Sequence, residues 1–123
     1  MLILLLFLFI LLSCHKEEER YARKLIQTLD QGKVIRTRNA MDRISYCLNR
    51  YMMDHGGYPE ADEISSVVAV LIPQYANDLP RVDAWRNELS YASDGDQYTL
   101  TSAGDDEMFH TEDDIVMQDG VYR

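Results

Sequence analysis

The sequence predicts an α+β fold in which a long N-terminal helix packs on a small antiparallel sheet. Three observations point there. Residues 17–54 contain no proline and carry apolar residues at alternating spacings of three and four, the signature of a helix with one buried stripe. Two Asp-Gly pairs, Asp94-Gly95 and Asp119-Gly120, are each flanked by short β-prone runs, which is the pattern of hairpins. With 123 residues, 46% of them hydrophobic, the chain has material for one small core and no second one.

The front end is a separate matter. Leu2 to Leu12 are eleven consecutive Leu, Ile and Phe residues, followed by Ser13, Cys14 and a charged run from Lys16 to Arg20. As a helix, eleven residues rise about 17 Å, short of the roughly 30 Å of hydrocarbon that a span must cross. The run therefore reads as the core of a secretory signal peptide over residues 1–13. Leu11-Leu12-Ser13-Cys14 resembles the bacterial lipobox, which implies acylation of Cys14 and attachment to the membrane through lipid. A plain signal peptide and a fragment of a longer span are the alternatives.

The helix then divides by what it can pack against. Val34, Thr37, Met41, Ile44, Leu48 and Tyr51 form one stripe, and Tyr21, Leu25, Ile26 and Leu29 a shorter one ahead of it. Gly32 costs about 1 kcal/mol relative to Ala inside a helix and is a candidate bend. The portion at 14–32 is expected to act as a lipid-anchored stalk, and residues 33–123 as the folded domain. Gly56-Gly57 should end the helix, Pro59 should prevent its resumption, and His55 should cap the last carbonyls. The two cysteines, Cys14 and Cys47, would lie about 50 Å apart along a continuous helix, so no intrachain disulfide is expected.

Beyond the helix, Ile64, Val67, Val68 and Leu71 fit the i, i+3, i+4, i+7 pattern, and Asp62 is a candidate cap for a helix near 62–71. The β-branched run at 67–70 also suits a buried strand. Tyr75 and Leu79, between Pro73 and Pro80, are expected in the core. Leu89 to Tyr91 pairs with Gln97 to Ser102 across Ser93–Asp96, and Ile115 to Met117 pairs with Val121-Tyr122. Trp85 is expected as a core aromatic with its indole N–H hydrogen-bonded, and Asp83 as the residue that fixes the turn before it.

Charge narrows the partners. The net charge is −9, and it is unevenly placed: residues 15–53 carry +4, whereas residues 54–123 carry sixteen acids and three bases, or −13. Such a surface repels a phosphate backbone, so nucleic acid is not an expected partner. No Gly-x-Ser-x-Gly elbow, phosphate loop, Cys-x-x-Cys or His-Glu-x-x-His occurs. No enzymatic activity is expected.

Three segments together resemble the C-terminal domain of the type II secretion major pseudopilin family. The first is Leu48–Pro59, where a helix ends in Tyr51 and Asp54 ahead of Gly56, Gly57, Tyr58 and Pro59. The second is Leu79–Tyr91, where Leu79-Pro80 precedes Asp83, Trp85 and Asn87. The third is Tyr98–Asp106 with Asp113-Asp114-Ile115 beyond it. Ala84, Arg86, Glu88 and Leu89 stand where the family carries Pro, Gly, Pro and Tyr, which is expected to loosen the second turn. Where the family begins with a prepilin signal, this sequence has its lipobox-like run. The resemblance implies a pilin-like fold, a non-enzymatic role in type II secretion or related pilus-type export, and protein components of that machinery as partners. A lipid-anchored envelope module using the same domain outside secretion is the alternative. Either implies the bacterial cell envelope, with the domain facing the periplasm or exterior.

Asp105, Asp106, Glu107, Glu112, Asp113 and Asp114 crowd six carboxylates into ten residues. Like charges at that density need solvent or a cation to screen them. By composition alone this is a solvated acidic loop. The family resemblance implies structural Ca²⁺ instead, held by carboxylates of Asp106, Asp113 and Asp114 and by backbone carbonyls of Ala103 and Thr111. Ca²⁺ suits an irregular oxygen-rich loop, whereas Mg²⁺ demands stricter octahedral geometry. His110 lies amid these acids with no nucleophile beside it. A metal-dependent hydrolase is the remote third reading.

Overall fold

The computed structural model describes residues 1–123. Six elements follow in order: α1 (Leu2–His55), α2 (Ile64–Leu71), β1 (Ser90–Ser93), β2 (Tyr98–Ser102), β3 (Ile115–Gln118) and β4 (Val121–Tyr122). Met1–Gly32 and Lys33–Arg123 form two compact units.

The first unit is helical throughout, and its side chains face solvent. Leu2–Leu12 are all exposed, as are Tyr21, Leu25, Ile26 and Leu29 of the short stripe. Arg20 pairs with Glu17 at 2.9 Å and Arg23 with Glu19 at 3.5 Å, surface contacts that contribute little stability individually. Gly32 lies inside α1, whose hydrogen-bonded length absorbs the small propensity cost of one glycine. No helix is long and apolar enough to cross a membrane.

The second unit contains the core. Met41, Ile44 and Leu48 from α1 are fully buried against Ile64, Val67, Val68 and Leu71 of α2 and Tyr91, Tyr98, Leu100 and Met117 of the sheet. Tyr75 and Leu79 join them as the sequence predicted. The four strands form an antiparallel meander in the order β1-β2-β3-β4, with Leu100 opposite Tyr91 on one side and Met117 on the other. In β2 the buried residues are Tyr98, Leu100 and Ser102, the alternation that a sheet with one covered face requires.

The buried tyrosine hydroxyls of this core are paired. The Tyr98 hydroxyl donates to Ser45 Oγ at 2.8 Å, and the Tyr91 hydroxyl donates to the Pro59 carbonyl at 2.9 Å. Burial pushes both phenols up to about 12, because the phenolate would lose its water. At the chain end, the Tyr122 hydroxyl lies 2.8 Å from Asp42 Oδ1, and Arg38 sits over its ring at 5.0 Å. β4 is thereby tied to α1.

The helix stops where predicted. Gly56 takes φ +80°, and its N–H donates to the Met52 carbonyl at 2.7 Å. His55 Nδ1 lies 3.0 Å from the Tyr51 carbonyl, the expected cap, with the two rings stacked at 4.0 Å.

Two local expectations are corrected. Asp62 does not cap α2: Glu63 occupies the cap position in extended conformation and makes no side-chain cap bond, leaving Asp62 one residue outside. The run at 67–70 is helical rather than a strand, because the helical period buries Val67 and Val68 while leaving Val70 47% exposed. Packing of the stripe overrides the β-branched preference. Cys47 is buried with its thiol 3.6 Å from the Tyr75 carbonyl, Cys14 is exposed, and both are free.

Candidate metal centre

The loop between β2 and β3 is anchored at its base by the preceding turn. Asp83 is 5% exposed, and its Oδ1 accepts from the backbone N–H groups of Trp85 and Asn87, each at 2.9 Å. Its Oδ2 accepts from Ser102 Oγ at 2.7 Å. Asp83 therefore fixes its own turn, as expected, and also the end of β2. The Gly104 N–H in turn lies 3.2 Å from Ser102 Oγ, which carries the connection into the acidic loop.

The turn is not loosened by the missing glycine. Arg86 takes φ +69°, a left-handed conformation that glycine adopts freely, and the Asp83 N–H still reaches the Asn87 carbonyl at 2.8 Å. Buried bonds to Asp83 hold a shape that costs an arginine about 1–2 kcal/mol. Trp85 departs from expectation differently. It packs against the core, but its indole Nε1 is buried without a hydrogen-bond partner, as is Asn87 Nδ2.

Gly104 is where the loop closes on itself. It takes φ +72°, and a Cβ there would collide with the Asp113 carbonyl and stand 2.9 Å from Asp113 Oδ2. Only glycine lets the two strands of the loop approach this closely. The Asp106 N–H donates to Asp113 Oδ2 at 2.9 Å, and the His110 N–H donates to Asp114 Oδ2 at 2.7 Å. The Thr111 hydroxyl sits 2.6 Å from Asp113 Oδ1 and 3.1 Å from Asp114 Oδ1, so its single proton serves either carboxylate. The Thr111 hydroxyl first, and then the Asp106 N–H, hold the Asp113 carboxyl below the usual carboxylate range.

One oxygen from each of Asp106, Asp113 and Asp114 lies within 4.8 Å of the others. Oxygens bound to one Ca²⁺ at about 2.3–2.6 Å can be no farther apart than roughly twice that distance, so this spacing admits the ion. Asp106 and Asp113 are exposed and Asp114 half-buried, which leaves the cluster open to solvent. The other acids of the run, Asp105, Glu107 and Glu112, do not join it. Thr111 meets the cluster by donating its hydroxyl to Asp113 and Asp114, and its carbonyl accepts from the Asp114 N–H at 3.3 Å. Ala103 is buried directly after β2, beside the glycine that abuts Asp113. The role of Gly104 escaped the sequence reading, although a glycine immediately before paired aspartates was its visible signal.

A helix laid on a four-stranded meander, with a carboxylate-lined loop between its two central strands, defines a pilin-like domain carrying a candidate cation site. The chain matches the family described as type II secretion system (T2SS), protein G, over residues 24–118, and it belongs to that family, the major pseudopilins. No curated protein and no solved structure matches it. Membership gives the chain a pseudopilin role in secretion at the cell envelope, in a family that is structural rather than catalytic.

Proposed function

We propose that this chain is a Ca²⁺-stabilised, non-enzymatic pseudopilin that is lipid-anchored through Cys14 and acts in type II secretion by binding protein components of that machinery. The carrying observation is the convergence of Asp106, Asp113 and Asp114 within a domain of that family. The three carboxylates would hold the ion, with the Ala103 and Thr111 carbonyls completing the shell. The ion would neutralise charges that otherwise repel one another across the loop. Its effect would be structural: an unfolded chain cannot hold the ligands together, so binding energy becomes folding energy. Free Ca²⁺ at about 100 times its dissociation constant adds roughly 2.7 kcal/mol.

Residues 1–13 would be removed as a signal peptide, residues 14–32 would act as the stalk, and the domain would face the periplasm or exterior. The exposed thiol of Cys14 is compatible with acylation. More than one acyl chain would be needed for stable attachment, since one gives marginal binding.

Deleting the gene and complementing with wild type, Asp113→Ala or Cys14→Ser tests the reading. Wild type should restore export, Asp113→Ala should restore it poorly in low calcium, and Cys14→Ser should shift the protein to the soluble fraction. Unimpaired export in the deletion strain would instead favour an envelope module working outside secretion.

A further inference from the structure

A groove of about 370 Å³ lies between α1 and the turn that follows α2. Its base is apolar: Cys47, Tyr75 and Leu79 are buried there, with Ala76 beside them. Tyr46, 63% exposed, and the exposed Arg43 stand at its rim. We infer that this groove binds a free alkyl carboxylate, its hydrocarbon chain on the tyrosine-lined base and its carboxylate on Arg43 and Arg50. The inference goes beyond the secretion role and needs neither the metal nor the lipid anchor.

The groove offers apolar surface because the polar atoms of its base are turned to other partners. The Tyr75 hydroxyl donates to Asp54 Oδ2 at 2.7 Å, which leaves the ring to face the groove. The Cys47 thiol lies 3.6 Å from the Tyr75 carbonyl, and burial pushes it up, so it is present there uncharged. Small-molecule sites have this make-up, apolar walls with a few polar groups that fix orientation. At about 30 Å³ for each water-sized atom, the volume takes roughly a dozen non-hydrogen atoms, the size of a medium-length alkyl chain with its carboxylate.

The rim selects an anion. Arg43 and Arg50 lie about two turns apart on one face of α1, and neither belongs to the chain's three ion pairs, which all fall within residues 15–23. Arg43 spends one N–H on the Asp78 carbonyl at 3.1 Å, and its other donors have no carboxylate partner. Arg50 sits 5.9 Å from the centre of the Tyr46 ring and 6.0 Å from that of Tyr75, so its guanidinium is held against the two rings the alkyl chain would touch. Planar guanidinium forks match the two oxygens of a carboxylate. Asp42 also lines the groove, but its charge is already answered: the Tyr122 hydroxyl lies 2.8 Å from its Oδ1, and Arg38 sits over that ring. A polypeptide fits less well, because a helix and a turn offer no strand edge for an extended backbone to pair with, whereas a hydrocarbon chain asks for none.

The test uses the full chain in phosphatidylcholine nanodiscs, isotope-labelled at the alanine and leucine methyls, titrated with sodium octanoate below its micelle concentration and read by NMR. Residue-resolved shifts separate the groove from the exposed apolar residues 2–12. Ala76 and Leu79 should shift saturably, and octanol and octyltrimethylammonium should bind at least about fivefold more weakly, for two partly exposed charge contacts. Arg43→Gln/Arg50→Gln should weaken octanoate by the same factor, while Arg86→Gln/Arg123→Gln, which removes equal charge elsewhere, should change it less than about twofold. Tyr46→Ala, at an exposed position, should also weaken it, and becomes the deciding variant if the Arg43→Gln/Arg50→Gln chain fails to fold by circular dichroism. Equal binding of octanol, equal loss from both arginine pairs, or indifference to Tyr46→Ala would overturn the inference. The same shifts in phosphatidylglycerol nanodiscs without octanoate would overturn it too, since they mark bilayer lipid as the occupant. So would full displacement of octanoate by an equal concentration of an acidic Asp-Phe-Glu peptide, which marks a site for protein.

Discussion

The helix–sheet core and the loop between β2 and β3 are held by opposite means. In the core, Ile44, Leu48, Leu100 and Met117 are fully buried, and the few polar groups among them, such as Tyr98 and Ser45, satisfy one another. In the loop, Asp106, Asp113 and Asp114 organise the backbone by accepting its N–H groups, yet their charges face each other across a few ångströms. The core is stable by exclusion of water and needs nothing added. The loop has its shape prepared but its charge uncompensated. On the proposed reading, the contrast teaches that one small domain can place intrinsic stability in one region and leave another to be stabilised by a ligand.

The comparison breaks most readily at the core. Ile44→Ala should cost about 2–5 kcal/mol by the transfer and cavity terms, measured by urea denaturation, and the loss should be the same with Ca²⁺ or chelator. A loss that depended on Ca²⁺ would mean the two regions are not separable. Gly104→Ala comes next: the left-handed backbone and the collision with the Asp113 carbonyl should cost about 2 kcal/mol and remove the Ca²⁺-dependent part of stability. If the variant still responds fully to Ca²⁺, the close approach at Gly104 does not shape the site.

The two regions should also separate by pH. Tyr91 and Tyr98 are raised to about 12 when folded, so their contribution is fully present below the unfolded value near 10 and is lost as pH rises toward 12. Asp113 is depressed, so its contribution is present above the unfolded value near 4 and is lost as pH falls through its lower folded value. Thermal midpoints should therefore fall at both extremes, and Asp113→Asn should flatten only the acid limb. The smallest effect is expected at Arg86→Gly, which relieves a left-handed arginine and should stabilise the domain by about 1 kcal/mol in either condition. A loss of stability there would show that the arginine side chain does more than tolerate its backbone.

The regions also differ in how legible they were. The core could be read from residue order alone, because the spacing of Thr37, Met41, Ile44 and Leu48 and the turns at Asp94-Gly95 and Asp119-Gly120 are local patterns. The end of α1 at Gly56 is local in the same sense. The metal reading of the acidic loop came only through family resemblance, since six acids in ten residues equally describe a solvated surface. What sequence could not supply was contact between distant residues. The bond from Ser102 to Asp83 joins two motifs that read as independent, and the unpartnered indole of Trp85 depends on which acceptors the fold places around it. Asp62 failed as a cap because the chain enters α2 one residue later than its polar side chain suggested. Arg86 keeps a glycine's conformation because tertiary bonds enforce it, and no local propensity announces that.

Amide hydrogen exchange, resolved by residue and measured with and without Ca²⁺, tests the central claim most directly. Ca²⁺ held by Asp106, Asp113 and Asp114 should protect the N–H groups of Asp106, Met108 and His110, and chelation should expose these three while Tyr98 and Leu100 remain protected. Equal protection of the loop amides in both conditions would contradict the account.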